Sequence, residues 1–279
     1  MLGDVVEFLL CPHCGEGLSL KRGSVWCERG HSFDVARQGY VSLLSGAASP
    51  TTGDRAAMVH ARAEFLGSGH YASLTQAVAD AAESALGPME GCIVDVGAGT
   101  GHYLAGVLDT VVGIAGVAAD VSRHALRRAA RAHPRLGAVG CDAWRQIPVR
   151  TGAAVLVLNV FAPRNGAEMS RILRPRAPLI VVTPTTRHLG ELVSRLGLLT
   201  VDRAKAERVA DMLHPYFALA EQTTHEFSLA LSRRDVANLV TMGPSAWHVR
   251  ADSIEQRTLA LPEPMTATAS VSLSVYERR

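Results

Sequence analysis

From Cys92 onward the chain alternates short unbroken apolar runs with segments of helical period. The runs Cys92–Val96, Gly113–Ala119, Ala138–Gly140, Ala153–Leu158 and Leu179–Thr183 carry almost no polar alternation, as expected of strands covered on both faces. Between them a helix following a glycine-rich turn, then Arg123–His133, Pro163–Leu173 and Leu189–Leu196, read as helices. Strands and helices in strict alternation, joined by short connections, predict right-handed crossovers and an α/β fold with a parallel, doubly wound, Rossmann-like sheet. Thr224–Leu231 and Ala269–Tyr276 change to a period of two and flank a helix near 233–242, so they are expected to close the sheet as antiparallel strands.

Upstream the pattern differs. Residues 1–45 are short polar turns with brief strands at Val25–Cys27 and His31–Val35. So small a stretch buries little apolar area and needs a staple to fold. A run of turn formers at 46–54 leads to two helical segments, about 55–66 and 72–86, the second stopping before Gly87-Pro88. The expected organisation is a zinc-binding module over 1–45, a helical linker region over 46–90 and the main α/β domain over 91–279.

Composition changes this picture little. The chain has 279 residues, 48% apolar and 19% charged, a globular balance, and its formal charge of +2 neither requires nor excludes a nucleic-acid partner. No signal peptide or membrane-spanning run is visible, so a soluble, cytoplasmic protein is expected. In that compartment clustered cysteines point to metal before disulfide. Three of the five cysteines fall in Cys11-x2-Cys14-x12-Cys27, and His31 follows after three more residues. This set suits a tetrahedral Cys3His zinc site, closed and therefore structural, with His13 as a competitor for the fourth place. Cys92 and Cys141 read as small core residues.

A second constellation sits at a strand-to-helix turn. Asp95-Val96-Gly97-Ala98-Gly99-Thr100-Gly101 removes side chains where a ligand would approach the backbone. A dinucleotide is one candidate, but the third glycine comes after one residue and not two, a departure from that fingerprint. Asp120, after the next strand, is placed to accept both hydroxyls of a ribose, and Asp142, one strand further, to meet an adenine amino group. Each acid alone is equally a helix cap or a loop charge, and Asp120 stands just before a helix start near Arg123. His102 follows the third glycine at a helix N-terminus facing the same ligand.

Taken together, these residues resemble the zinc-containing guanine-N1 methyltransferases of large-subunit ribosomal RNA, the type that includes the tylosin-resistance enzymes of antibiotic-producing actinobacteria. The resemblance runs through Cys11-Pro12-His13-Cys14, Gly30 to Val41, Gly69-His70-Tyr71, Gly97 to Gly101, Asn159 to Asn165, Thr183-Pro184 with His188-Leu189, and Met242 to His248. It implies a class I methyltransferase with a zinc-ribbon-like N-terminal module, using S-adenosylmethionine and structural Zn2+. It further implies methylation of a guanine N1 in a 23S rRNA hairpin loop where 16-membered macrolides bind, and a homodimer with an RNA cleft. By resemblance Tyr71, Gly101, His102 and His188 line the donor pocket. In one departure, Arg174-Pro175-Arg176-Ala177-Pro178 stands where related sequences read Pro-Gly-Gly.

Methyl transfer requires the nucleophile to be placed in line with the donor carbon. The segment Asn159 to Asn165, after the fourth strand, should lie beside that carbon, with Asn159 and the Phe161-Ala162-Pro163 backbone positioning the base or only capping the next helix. It contains no evident general base. Candidate phosphate contacts are Lys21, Arg22, Arg29, Arg37, Arg55 and Arg62, while Arg127, Arg128 and Arg131 read first as the wet face of a helix. Trp26 is expected to fill the module's small core before it stacks on a base. The competing functional reading is a methyltransferase of a small molecule such as a polyketide or quinone, against which the N-terminal module argues. A non-catalytic RNA binder is the third.

Overall fold

The computed structural model describes residues 1–44, 53–87, 90–199, 211–247 and 256–279. Most of the 46–54 run, Pro88 and His248 lie outside them. The chain opens with a short helix, α1 (Leu2–Val5), and a single 3-10 turn. A three-stranded antiparallel sheet follows, made of β1 (Leu18–Lys21), β2 (Ser24–Cys27) and β3 (Ser32–Asp34). Next come β4 (Val41–Ser42) and the helices α2 (Ala56–Gly67) and α3 (Ala72–Ala85).

The remainder alternates β5 (Cys92–Val96), α4 (His102–Thr110), β6 (Ala115–Asp120), α5 (Arg123–Ala129), β7 (Leu136–Gly140), β8 (Ala154–Val160), α6 (Gly166–Ile172), β9 (Pro178–Pro184) and α7 (Gly190–Leu196). It ends in β10 (Phe217–Leu231), α8 (Arg233–Met242) and β11 (Met265–Arg278). The strands form one eight-stranded sheet in the order β10-β11-β9-β8-β5-β6-β7-β4. Pairing is parallel from β4 to β9, and β11 runs antiparallel to both β9 and β10. From β5 the chain moves outward to β6 and β7, then returns to β8 on β5's other side. The strand order therefore reverses between β5 and β8, and the carboxyl ends of these two strands are the place where such sheets hold ligands.

The expected doubly wound sheet is present. Every residue of β5, β7 and β8 is buried, which explains their unbroken apolar runs. Several boundaries differ. α5 ends at Ala129 and not at His133, because Ala130 to Ala132 turn back on the helix's last carbonyls ahead of Pro134. The closing strands are far longer than their alternating cores suggest.

The N-terminal segment is built into the body of the molecule. β4 adds to the main sheet beside β7. Leu2, Val5, Leu9, Val25 and Cys27 share one buried cluster with Val117, Val139 and Val157. On the opposite face Phe65, Leu74 and Val78 of α2 and α3 join Leu104, Leu126 and Leu156 in a second cluster.

Candidate metal centre and donor pocket

The three thiols and the His31 ring converge, with all four ligand atoms within 4.8 Å of one another. Cys14 Sγ lies 3.7 Å from Cys27 Sγ, and His31 Nδ1 lies 3.6 Å from Cys11 Sγ and 3.3 Å from Cys27 Sγ. A tetrahedron with bonds of about 2.3 Å has edges of about 3.8 Å, so the group is sized for zinc. Burial acts to raise the Cys27 thiol, but hydrogen bonds from the His31 backbone and ring outweigh it and bring the group to about 7, toward the thiolate a metal needs. His13 is not among the four. Its ring stacks on Phe33, with centroids 5.7 Å apart.

The glycine-rich turn joins the end of β5 to α4. Gly97, Gly99 and Gly101 all have positive φ, at 79°, 56° and 78°. A Cβ on Gly97 would collide with that of Ala162, and one on Gly101 would meet the Ala129 backbone at 3.2 Å. These glycines thus allow the turn to touch the β8 loop on one side and α5 on the other. Asp120, at the end of β6, accepts from Gly99 N through Oδ2 and from Ser122 N through Oδ1, both at 2.8 Å. It thereby clamps the turn to the start of α5, and its free lone pairs can still receive hydroxyls. The helix cap itself is Ser122, which accepts from Ala125 N. Asp95 is enclosed beneath the turn, and burial first, then the neighbouring Asp120, push its carboxyl up to about 8. Asp142 holds a local turn through Trp144 N at 3.0 Å, with Arg145 nearby.

Tyr71 and His188 meet across the crevice, with the phenol oxygen 3.3 Å from Nε2. Ser270 N donates to His188 Nδ1 at 3.2 Å, so the ring proton sits on Nε2 and is given to Tyr71. Desolvation holds this imidazole down to about 4 and keeps it neutral. The ring of His102 turns toward α3, with Nε2 2.9 Å from Thr75 Oγ1. Asn159 is fully buried, and its amide donates to Val96 O at 3.1 Å and to Pro163 O at 2.9 Å, tying the end of β5 to the loop after β8. At the apex of that loop Phe161 adopts φ 53° and stays 40% exposed, its ring 6.0 Å from that of His188. Such strain in a non-glycine residue persists where its surroundings hold it, commonly at functional sites.

Sequence reasoning missed Tyr103. Its hydroxyl is buried without a hydrogen-bond partner, beside Phe161 and within electrostatic reach of Tyr71, Arg62 and Asp95. The only signal was its place one residue into α4, where an aromatic reads as core. Asn159 Oδ1, on the strand that leads into the Phe161 loop, is likewise buried without a hydrogen-bond partner. Orphaned polar atoms beside a turn that excludes side chains fit a polar ligand at the switch point.

Two expectations need correction. Trp26 does not fill the module's core and is 41% exposed, because β2 turns Val25 and Cys27 inward and leaves Trp26 on the outer face. Arg62 does not offer itself to phosphate. It pairs with Asp54, donates to Met242 O at 2.8 Å, and lies over Gly99. Arg29 is engaged with Glu16.

A doubly wound sheet with two closing antiparallel strands, a glycine turn and acids at the switch point, and a Cys3His cluster define a Rossmann-like class I methyltransferase with a zinc ribbon. Comparison agrees. The family model described as RlmA, N-terminal, a zinc ribbon, matches residues 9–46. A 23S rRNA (guanine-N(1)-)-methyltransferase of Micromonospora griseorubida is 50% identical over 98% of both chains. The 23S rRNA (guanine(748)-N(1))-methyltransferase of Streptomyces fradiae is 46% identical over 99% of this chain and 98% of that one. The fold is shared with the YcgJ protein of Bacillus subtilis, at a TM-score of 0.52 and 11% identity, over 73% of this chain and 98% of that one. The chain belongs to the 23S rRNA (guanine-N1)-methyltransferase family.

Proposed function

We propose that this enzyme transfers a methyl group from S-adenosylmethionine to N1 of a guanine in a 23S rRNA hairpin loop, and that the modification confers resistance to tylosin-type macrolides. The observation that carries this reading is the meeting of the glycine turn and the Phe161 loop at the switch point, locked by the buried Asn159 amide. The donor, when bound, supplies an electrophilic methyl on a sulfonium. Gly97, Gly99, Gly101 and His102 would form its backbone cradle, Asp95 and Asp120 its acidic support, Asp142 its adenine contact, and Tyr71 with His188 the opposite wall.

Asn159 acts as a positioning residue. It has no exposed surface and reaches the guanine only through the loop it anchors. Phe161, strained and exposed on that loop, offers a face on which an extruded base can stack. Guanine N1 must lose its proton. The neutral His188 already gives its proton to Tyr71 and accepts one from Ser270, so it is no free base, and proton loss to water is the simplest route. We further propose functional units at 1–45, 46–90 and 91–279, a homodimer and a cytoplasmic location. Among the described residues no helix is long and apolar enough to cross a membrane.

Primer extension on 23S rRNA treated with enzyme and donor tests the reading. A single donor-dependent stop is expected, because N1-methylguanine cannot pair. Labelling of small polyketide or quinone acceptors with no stop on RNA would overturn it.

A further inference from the structure

The outer side of α5 concentrates positive charge that the donor site does not use. Arg123 and Arg127 lie one helical turn apart on α5, Arg131 follows in the turn after the helix, and all three are exposed, as is Arg128 beside them. The buried side is formed by Ala125, Leu126 and Ala129, so packing alone would accept any polar residue on the wet side. Among the described residues no carboxylate pairs with Arg123, Arg127, Arg128 or Arg131, and α5 carries no acid of its own. Arg128 donates to His60 Nδ1 of α2, at 3.2 Å. Between the arginines, His124 is held below its usual range by desolvation and then by Arg123 and Arg127. Like charges on adjacent turns oppose folding, and among the described residues no carboxylate offsets them, although Arg127 and Arg128 stand in the last turn, where the helix dipole favours cations.

The position of the stripe is as telling as its charge. α5 starts at Ser122, which Asp120 clamps at the rim of the donor pocket. It then runs about 9 Å, from Arg123 to Ala129, and Arg131 follows in the turn that closes the helix. At its far end Gly39 faces Ala130, where an added Cβ would lie 3.8 Å from the Ala130 Cβ, and the turn containing Gly39 also carries the exposed Arg37. The stripe thus joins the rim of the catalytic crevice to the zinc module. The side chains between these arginines are His124, Leu126 and alanines, with no amide to read a base edge, which suits a phosphate backbone.

We propose that Arg123, Arg127 and Arg131 form a phosphate track for the substrate RNA, leading the strand from the zinc module to the donor pocket. This rests on the RNA reading above. It reverses the reading of Arg127 and Arg131 as a merely solvated helix face.

The test is RNA binding by a 23S rRNA hairpin fragment, followed by fluorescence anisotropy across a range of KCl concentrations. The parent protein is compared with the triple variants R123Q/R127Q/R131Q and R123K/R127K/R131K. For three lost contacts to single-stranded RNA, the slope of log K against log salt should become shallower by about 2. Affinity in moderate salt should fall on the order of 10-fold to 100-fold. Lysine, a point charge, should restore most of the slope. Donor affinity by calorimetry should match the parent in both variants, which shows that the fold and pocket are intact. A glutamine variant with the parent's slope and affinity overturns the track while leaving the RNA reading in place. A parent that shows no salt-dependent RNA binding overturns both.

Discussion

His188 shows how one side chain's chemistry is set by its neighbours. Its Nδ1 accepts from the Ser270 backbone and its Nε2 faces the Tyr71 hydroxyl, so a second proton has no place to bind. Burial depresses the folded group to about 4, whereas an unfolded histidine titrates near 6.5. Between those values the unfolded chain binds more protons, so stability rises with pH. The contribution is complete above about 6.5 and is lost as pH falls toward 4. Relative to H188Q, the parent should therefore lose stability between pH 6.5 and 4, read from denaturant midpoints. In 15N-edited spectra the ring should stay in the Nε2–H form above pH 5. A ring that titrates near 6.5 in the folded enzyme would refute the arrangement. Tyr103 is the opposite case, a hydroxyl enclosed with nothing to bond. Its meaning is visible only once Phe161, Tyr71 and Asp95 surround it, which one position in a helix cannot disclose.

The elements of the main sheet were legible because β5, β7 and β8 are covered on both faces and write that fact as unbroken apolar runs. The zinc ligands were legible for a different reason, since four donors on one ion demand fixed spacing. β4 was not legible. Its two residues owe their strand state to β7, a partner remote in sequence. The length of β10 and β11 likewise comes from pairing with each other. Arg62 read as a phosphate contact because sequence cannot show that Asp54 would fold over to meet it. The turn before β9 joins both levels. Arg176 there has φ 65°, a conformation glycine adopts freely. The left-handed state costs a side-chain-bearing residue about 1–2 kcal/mol, and glycine's greater freedom in the unfolded chain returns about 0.4–1 kcal/mol of that difference. R176G should therefore stabilise the enzyme by about 0.5–1 kcal/mol in equilibrium unfolding and leave donor affinity unchanged. A destabilised R176G would mean that the arginine side chain contributes more than the backbone strain removes.

At the scale of the whole molecule, the zinc module and the methyltransferase body cannot be treated as beads on a string. One buried cluster runs from Cys11, Leu18 and Cys27 through Leu2, Val5 and Leu9 to Val117 and Val139 of the central sheet. β4 then leaves the module as the sheet's last strand before the chain enters α2. Metal affinity therefore feeds into the stability of the sheet as well as the ribbon. Zinc analysis should give one ion per chain for the parent and less for C27S, which keeps volume but loses a thiolate. Stripping the ion exposes the apolar side of β7, so the C27S melting transition should fall by several degrees and stay a single step. Amide exchange should rise in β4 and β7 as well as in β1–β3. Two separate transitions, with the upper one at the parent's temperature, would show the module to be an independent appendage. Coupling of this kind also bears on function, because the proposed arginine track ends against the module's turn at Gly39. A ribbon that loses its metal would release the turn carrying Arg37 from the end of α5, and RNA affinity would fall with zinc even though no RNA contact touches the ion.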